Sequence, residues 1–471
     1  MTKITDERSD INHTGLDRRK FFIWLTVITL IGLGVRLAYM FIVKWDQTIW
    51  GDAFTYHWTA NGIADGMGWQ SWLPKILTKS DASVFSSPES TWGNFAVSKG
   101  VAAENPPLFP FYLSIFSFFG LRSFHWHILA TTGLGVASVF MMGLVGRKIG
   151  GPRLGLIAAG IVAVYANFWV YDPLVISEPM GILAGTVVVL LAYRAWDEPT
   201  LKRVVALGAA CGVASLVRSE FALLLVFLMV PFVISRLKGR SIKERAIMFF
   251  SAGIVALLVV SPWLIRNAVI FEKPFFMTHD AGLSLQSGNC DATYYGDALG
   301  WWSPKCAGGG NPPSLENNDF SVRDVYWGQR GRAYMLDHLD RFPVVALARL
   351  GRMWEIYRPG SPWGTPSKGQ KITFDIIEGR SEKAAQLALL QYWLLVPFSI
   401  AGFILLWKRK RTIVPLIVLP ILVSLIAVYS FGNTRYRSIA EIAIAASAAV
   451  AFDAILRWRQ ARRSDSVVLK N

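Results

Sequence analysis

Stretches of uninterrupted apolar residues recur along the chain, separated by short basic turns or by long mixed segments. An α-helix needs about 20 apolar residues to cross a hydrocarbon core. The first run covers 21–43 and follows Arg18, Arg19 and Lys20. A secretory signal is the rival reading, but the run is too long for one and no small-residue cleavage site follows. Further runs occupy 124–146, 153–171, 180–196, 202–217, 220–235, 246–265, 385–407, 412–430 and 438–457. About ten spans are expected, within a range of nine to twelve, in an all-α polytopic membrane protein. The apolar piece 108–120 is short and sits beside Pro106, Pro107 and Pro110, which predicts an interfacial or re-entrant segment.

Residues 201–235 decide the topology. One continuous helix there would run about 52 Å against a core of about 30 Å. The polar triplet Arg218-Ser219-Glu220 falls in its middle, so a hairpin of two short spans is expected. The basic residues agree. With the N-terminus in the cytoplasm, Arg147, Lys148, Arg153, Arg194, Lys202, Arg203, the 236–245 cluster, 408–411 and the tail from Arg457 all fall inside. Arg218, Arg435 and Arg437 are the basic residues of the short outer loops, a one-sided bias.

This frame divides the chain into a cytoplasmic tail (1–20), an N-terminal membrane module (21–265) with an outer loop (44–123), a large outer loop (266–384), C-terminal membrane helices (385–457) and a cytoplasmic tail (458–471). Both outer loops are rich in Trp, Gly, Pro and Asp, as ordered loops over a site would be. Within the second, 330–358 has helical periodicity through Leu336, Leu339, Val345, Leu350 and Trp354, suited to lying on the outer leaflet. No internal repeat is visible.

Composition narrows the function. Hydrophobic residues make up 53% and charged residues 17%, against about 25% charge in soluble domains. A soluble enzyme, a disordered chain and a disulfide-rich secreted module are excluded. The net charge of +16 is largely the topological bias already described, and nucleic acid is not an expected partner. Of three cysteines, Cys290 and Cys306 lie in the second outer loop and predict a disulfide, while Cys211 reads as a buried thiol. No Walker loop and no Gly-x-Ser-x-Gly motif occurs. His125-Trp126-His127 lacks the acidic partners of a zinc site.

Polar residues gather near the outer ends of the spans: Asp52, Tyr56, Glu178, Arg218, Glu220, Arg266, Asn267, Arg435 and Arg437. Singly, each reads as a solvated cap or turn residue; together they describe a polar site on one face. Arg36 lies inside the first apolar run, where a charge faces a cavity or partner, or snorkels to the headgroups. Gly51 permits a tight turn before Asp52, and Tyr56 falls on the same face if this piece is helical. Ile176-Ser177-Glu178-Pro179 reads as a helix start, with Glu178 favourable at the positive end of the helix dipole.

These residues resemble those of GT-C glycosyltransferases. The resemblance rests on Arg36, Gly51-Asp52 and Tyr56, then Asn105-Pro106-Pro107-Leu108-Phe109-Pro110 and Ser177-Glu178-Pro179. It continues through Arg218-Ser219-Glu220, Ser261-Pro262-Trp263-Leu264-Ile265-Arg266-Asn267, Gly288-Asn289-Cys290 and Thr434-Arg435-Tyr436-Arg437. It covers about 20–455 and is nearest the protein O-mannosyltransferase and aminoarabinose-transferase branch, with an actinobacterial cast. It implies a sugar donor on polyprenyl phosphate, used at the outer face of the plasma membrane. The acceptor hydroxyl would belong to a glycan, a glycolipid or a protein.

The family's catalytic acid falls at Asp52. Many relatives carry a second acid next to it, where this chain has Ala53, so Glu178 is the nearest support. The implied roles are Asp52 as general base, with Arg266, Arg435 and Arg437 on the phosphate, Arg36 and Arg218 in reserve, and inversion at the anomeric carbon. No nucleotide is needed, and a divalent cation shared by Asp52 and Glu178 is left open. The rival function is a lipid or sugar transporter, which predicts mid-membrane charges and repeated halves instead.

Overall fold

The computed structural model describes residues 17–47, 49, 51–70, 73–74, 95–96, 100–296, 298–306, 319–358 and 379–468. The first apolar run forms α1 (Arg18–Tyr39), continued by a π-helical turn at Met40–Lys44. Phe21, Leu25, Gly32, Arg36 and Tyr39 are its buried stripe, while Ile23, Trp24, Leu30 and Ile31 stay exposed. Large exposed aliphatic side chains on an outer helix face are what a lipid-facing surface requires.

Asp52–Ala64 forms α2, entered through Gly51 at φ 61°. A short antiparallel pair, β1 (Leu73–Pro74) and β2 (Phe95–Ala96), follows. The apolar piece after the prolines is α3 (Leu108–Phe118), which packs on α2. A closed ring of side chains fastens these helices to α4 (Phe124–Gly150). His57 Nδ1 meets His127 Nδ1 at 3.0 Å, Ser117 Oγ bonds His127 Nε2 at 2.9 Å and Asn61 Oδ1 at 2.8 Å. Burial, and then the neighbouring His127, hold His57 well below the ordinary histidine range, so the ring is uncharged.

The next run breaks. It gives α5 (Pro152–Val164), α6 (Ala166–Trp169) and a 3₁₀ turn at Asp172–Leu174, bent by 69°. Gln391 repairs the break: its Nε2 donates to Val164 O at 3.2 Å and its Oε1 accepts from Ala166 N at 2.7 Å. A backbone opened inside a membrane needs such partners. The chain then turns at Val175, φ 52°, into α7 (Glu178–Asp197).

Residues 201–235 are not one helix. α8 (Leu201–Ser215) ends before an extended Arg218; a 3₁₀ turn at Ser219–Phe221 leads into α9 (Ala222–Pro231). α10 (Ile242–Ile270) opens with a capping box between Ser241 and Glu244. The second loop contributes α11 (Ala281–Gly288), α12 (Asp291–Tyr294), α13 (Phe320–Asp337) and α14 (Phe342–Met353). Cys290 and Cys306 are joined by a disulfide. The periodic segment 330–358 falls in two helices, broken between Asp337 and Phe342, with Pro343 at the start of the second. Arg349 ties this loop to the membrane helices, bonding Gly288 O and Val428 O, each at 2.6 Å.

α15 (Glu382–Lys408), α16 (Val414–Tyr429) and α17 (Glu441–Val468) complete the bundle. The first half of α17 is buried on every side. Helices lie at nearly every expected run, but ten spans is a correction. Among the described residues six helices are long and apolar enough to cross, or seven counting the bent pair. α8 and α16 have 15 and 16 residues, about 24 Å at most, and the charges of α17 interrupt its apolar length.

The bundle has two polar ends. At one, Lys148 and Arg411 both reach Asp197 at 2.6 Å, and Arg153 reaches Asp453 at 2.6 Å, so the basic turns expected on one side do meet. The other end carries Asp52, Glu178, Arg218 and Arg435.

Glycine sets the closest helix approach. Gly208 and Gly212, four apart on α8, face Ala252 and Ala256 on α10, a small-residue seam of the kind membrane helices use. A Cβ at Gly208 would stand 2.3 Å from Ala252 O. Gly208→Val is therefore expected to push the helices apart and destabilise the protein by about 1–3 kcal/mol. Thermal unfolding in detergent measures this; an unchanged midpoint would contradict the packing.

Candidate active site

Four chain breaks bring the charged groups together. Asp52 is the first residue of α2 and Glu178 the first of α7. Arg218 occupies the extended link between α8 and α9, and Arg435 the 3₁₀ turn at Thr434–Ile439. Arg435 Nη1 bonds Asp52 Oδ2 at 2.6 Å, and its Nε bonds Glu178 Oε1. Arg218 Nη1 reaches the same Glu178 oxygen at 2.7 Å, and its Nε holds Glu220 Oε1 at 2.6 Å. Glu178 is fully buried, whereas the Asp52 side chain is 48% exposed. Charge is thus anchored inside and presented outside, on one chain of contacts.

Tyr56 stands behind Asp52, buried and packed edge-on against Phe109 at 4.8 Å. Burial, and next the charge of Asp52, push its phenol well above its ordinary value. It therefore stays a neutral hydrogen-bonding group. Gly181 leaves room for the stem of Arg218, whose Cδ lies 3.0 Å from where a Cβ would be.

The other arginines selected from the sequence lie elsewhere. Arg36 is buried and paired with Asp172 at 2.7 Å. The carboxylate rests on Gly135, where a Cβ would come within 2.1 Å of Asp172 Oδ2. Arg437, two residues beyond Arg435, turns inward. It bonds Glu355 Oε2 and Glu441 Oε1, each at 2.8 Å, and stacks 3.9 Å from the Tyr392 ring centre. Tyr165 OH and Asn167 Nδ2 hold the two oxygens of Glu441 at 2.7 and 2.9 Å. This guanidinium, engaged on both sides, clamps the 3₁₀ turn.

Arg266 differs from all of these. Its Nη1 bonds Asn267 Oδ1 at 2.7 Å, its Nη2 bonds Ala102 O at 3.1 Å, and it lies 4.5 Å from the Trp263 ring centre. Among the described residues it has no carboxylate partner.

Sequence reasoning missed Asp172, Glu355 and Glu441. An acid inside an apolar run is itself a signal, and Glu441 lay within the 438–457 run. Glu355 gave no such signal; it follows α14 with φ 56°. Asp52 and Glu178 do not fit a shared cation as they stand, because the Arg435 guanidinium occupies the space between them. Among the described residues no three His, Cys, Asp or Glu side chains converge as a metal site.

Residues 104–265 match the profile of a family described as dolichyl-phosphate-mannose-protein mannosyltransferase. The matched segment is about a third of the chain. It carries Glu178, Arg218 and Glu220, three of the five charged groups of the network. The archaeal oligosaccharyltransferase AglB from Archaeoglobus fulgidus, in complex with an inhibitory peptide and a dolichol-phosphate, has a similar fold. The TM-score is 0.55 at 13% identity, over 95% of this chain and 52% of that one. The apo form of the Archaeoglobus fulgidus oligosaccharyltransferase gives TM-score 0.55 and 13% identity, over 97% and 53%. ArnT from Cupriavidus metallidurans, also in the apo state, gives TM-score 0.39 and 14% identity, over 92% and 78%. The chain spans about half the length of the oligosaccharyltransferase it matches. Among curated proteins none matches it by sequence. With six or seven candidate spans among its described residues, the chain is a multi-pass membrane protein.

The clamp reading of Arg437 has a measurable consequence. Arg437→Ala leaves the buried Glu441 and the partly exposed Glu355 without their cation, and breaking a buried pair typically costs about 3–5 kcal/mol. The expected result is a large fall in the thermal midpoint in detergent. A protein as stable as wild type would show that Arg437 is not a structural clamp.

Proposed function

We propose that this protein transfers a sugar from a polyprenyl-phosphate donor to an acceptor hydroxyl at the extracytoplasmic end of the bundle. The observation that carries the proposal is the half-exposed Asp52 carboxylate, fixed through one oxygen by Arg435 at the polar end where four chain breaks meet. The family of residues 104–265 and the fold shared with a dolichol-phosphate-bound oligosaccharyltransferase support it.

The chemistry follows from the groups present. The acceptor hydroxyl donates to the open oxygen, Oδ1, of Asp52. As its oxygen bonds the anomeric carbon, the proton passes to Asp52 and the carbon–phosphate oxygen bond breaks. The electron pair leaves on the phosphate, whose negative charge grows by one. Arg266 is the cation for that charge, since Arg218, Arg435, Arg437 and Arg36 already answer carboxylates. Glu178 does not touch the reacting atoms; it positions Arg435. One displacement inverts the anomeric centre. The plasma membrane, cytoplasmic termini and a glycan, glycolipid or protein acceptor complete the reading.

Asp52→Asn should lower transfer by about 100- to 10,000-fold, the usual weight of a general base. Purified protein in proteoliposomes with polyprenyl-phosphate sugars and membrane acceptors measures this. A correctly inserted variant with full transfer would remove Asp52 from the reaction.

A further inference from the structure

α15 and α17 pack side by side and run together towards the basic end of the bundle, opposite Asp52. Part of their seam is tightly closed. The Ser399 and Ser447 hydroxyls bond at 2.7 Å, Gly402 lies against the Ser447 backbone, and the Phe398 and Phe452 ring centres are 4.4 Å apart. Beside this contact the seam is not filled. Pro397, Ala401 and Leu405 form one wall of a groove of about 430 Å³, and Ala451, Ala454 and Trp458 form the other. Each set falls on a single helix face, and the alanines are too small to close the gap. Every lining residue is apolar, and most are only partly buried, so the groove opens on the outer surface of the bundle. From Pro397 to Leu405 it follows the helix for about 12 Å. A space of about 150 Å³ already holds benzene, so this groove accommodates a stretch of alkyl chain.

The groove ends in cations. Lys408 lies one turn beyond Leu405, and Arg409 and Lys410 continue from it. Arg459 and Arg462 follow Trp458, and the Arg462 guanidinium stacks 4.1 Å from the indole ring centre. Arg411 and Arg457 in the same segments answer Asp197 and Asp453. The other cations have no acidic partner among the described residues, and no Asp or Glu occurs in 401–411 or 454–462. Trp407 and Trp458, 71% and 53% exposed, stand where the apolar walls give way to these charges. Tryptophan at such a border marks the headgroup level of a bilayer. An apolar slot with unanswered cations at its mouth complements an amphiphile with an anionic head. A second copy of the chain does not fit this face, because it would bring the same cations to the same depth.

We infer that the groove between α15 and α17 holds an acyl chain of an anionic phospholipid, with the lipid phosphate among Arg459, Arg462 and the cations at 408–410. The site lies at the end opposite the proposed reaction. Its occupant is a lipid of the adjoining leaflet, distinct from the sugar donor, and the claim does not depend on the transferase reading.

The test titrates full-length protein in detergent with phosphatidylglycerol and with phosphatidylcholine of the same acyl chains, counting bound lipids by native mass spectrometry. Phosphatidylglycerol should occupy one tight site, with an affinity about tenfold or more above that of phosphatidylcholine. Arg459→Gln and Arg462→Gln combined should lower phosphatidylglycerol affinity by about fivefold per cation and leave phosphatidylcholine unchanged. Ala454→Phe, which fills the groove and keeps every cation, should abolish the tight site. Both arginines are exposed, so their variant decides the question even where Ala454→Phe disturbs packing. The inference is overturned if the two lipids bind alike, if the double arginine variant keeps the full preference, or if Ala454→Phe with a wild-type thermal midpoint keeps the tight site. A wild-type dimer that Ala454→Phe turns into a monomer would give the groove to a second copy and overturn it as well.

Discussion

Arg435 holds two carboxylates that arrive from 383 and 257 residues earlier in the chain. One, Glu178, is fully buried at the start of a membrane helix; the other, Asp52, is half exposed. Much of this polar end of the molecule is built to keep that arginine in place. Glu178 is also held by Arg218, and Arg437 fixes the same short turn from its inner side through Glu355 and Glu441. Burying such charges is costly unless every one is answered. The two networks are therefore cooperative, and the turn between them has little freedom to move.

The membrane helices supply the rigidity. Small residues let α8 and α10 approach, and Gln391 repairs the break after α5, so that Tyr165 and Asn167 can reach Glu441. The uncharged ring of His57, Asn61, Ser117 and His127 holds α2, and with it Asp52, against α3 and α4. Exposure is thus confined to a carboxylate on a buried helix, which suits a group that must meet a substrate in a fixed direction.

The sequence made much of this legible because membrane helices write their length in apolar residues. The broken 201–235 stretch, the turn at Gly51, the helix start at Ser177-Glu178 and the disulfide were all readable from local rules. Pairing was not. Arg36 was recognised as costly, but its partner Asp172 lies 136 positions away and only the bent helix pair brings it near. Arg437 looked like Arg435 by position, yet a 3₁₀ turn sends neighbouring side chains in different directions, and the two acids that claim it come from the turn after α14 and from α17. The span count was too high because an apolar run of adequate length need not be one straight helix of that length.

The most direct test of the account is a cryo-electron-microscopy structure of the protein with a bound citronellyl phosphoryl glycoside. The account expects the phosphate on Arg266 and the anomeric carbon facing Asp52, with Arg435 still bridging Asp52 and Glu178. The glycoside phosphate bound at the opposite polar end, near Lys148 and Arg411, or a sugar remote from Asp52, would contradict it.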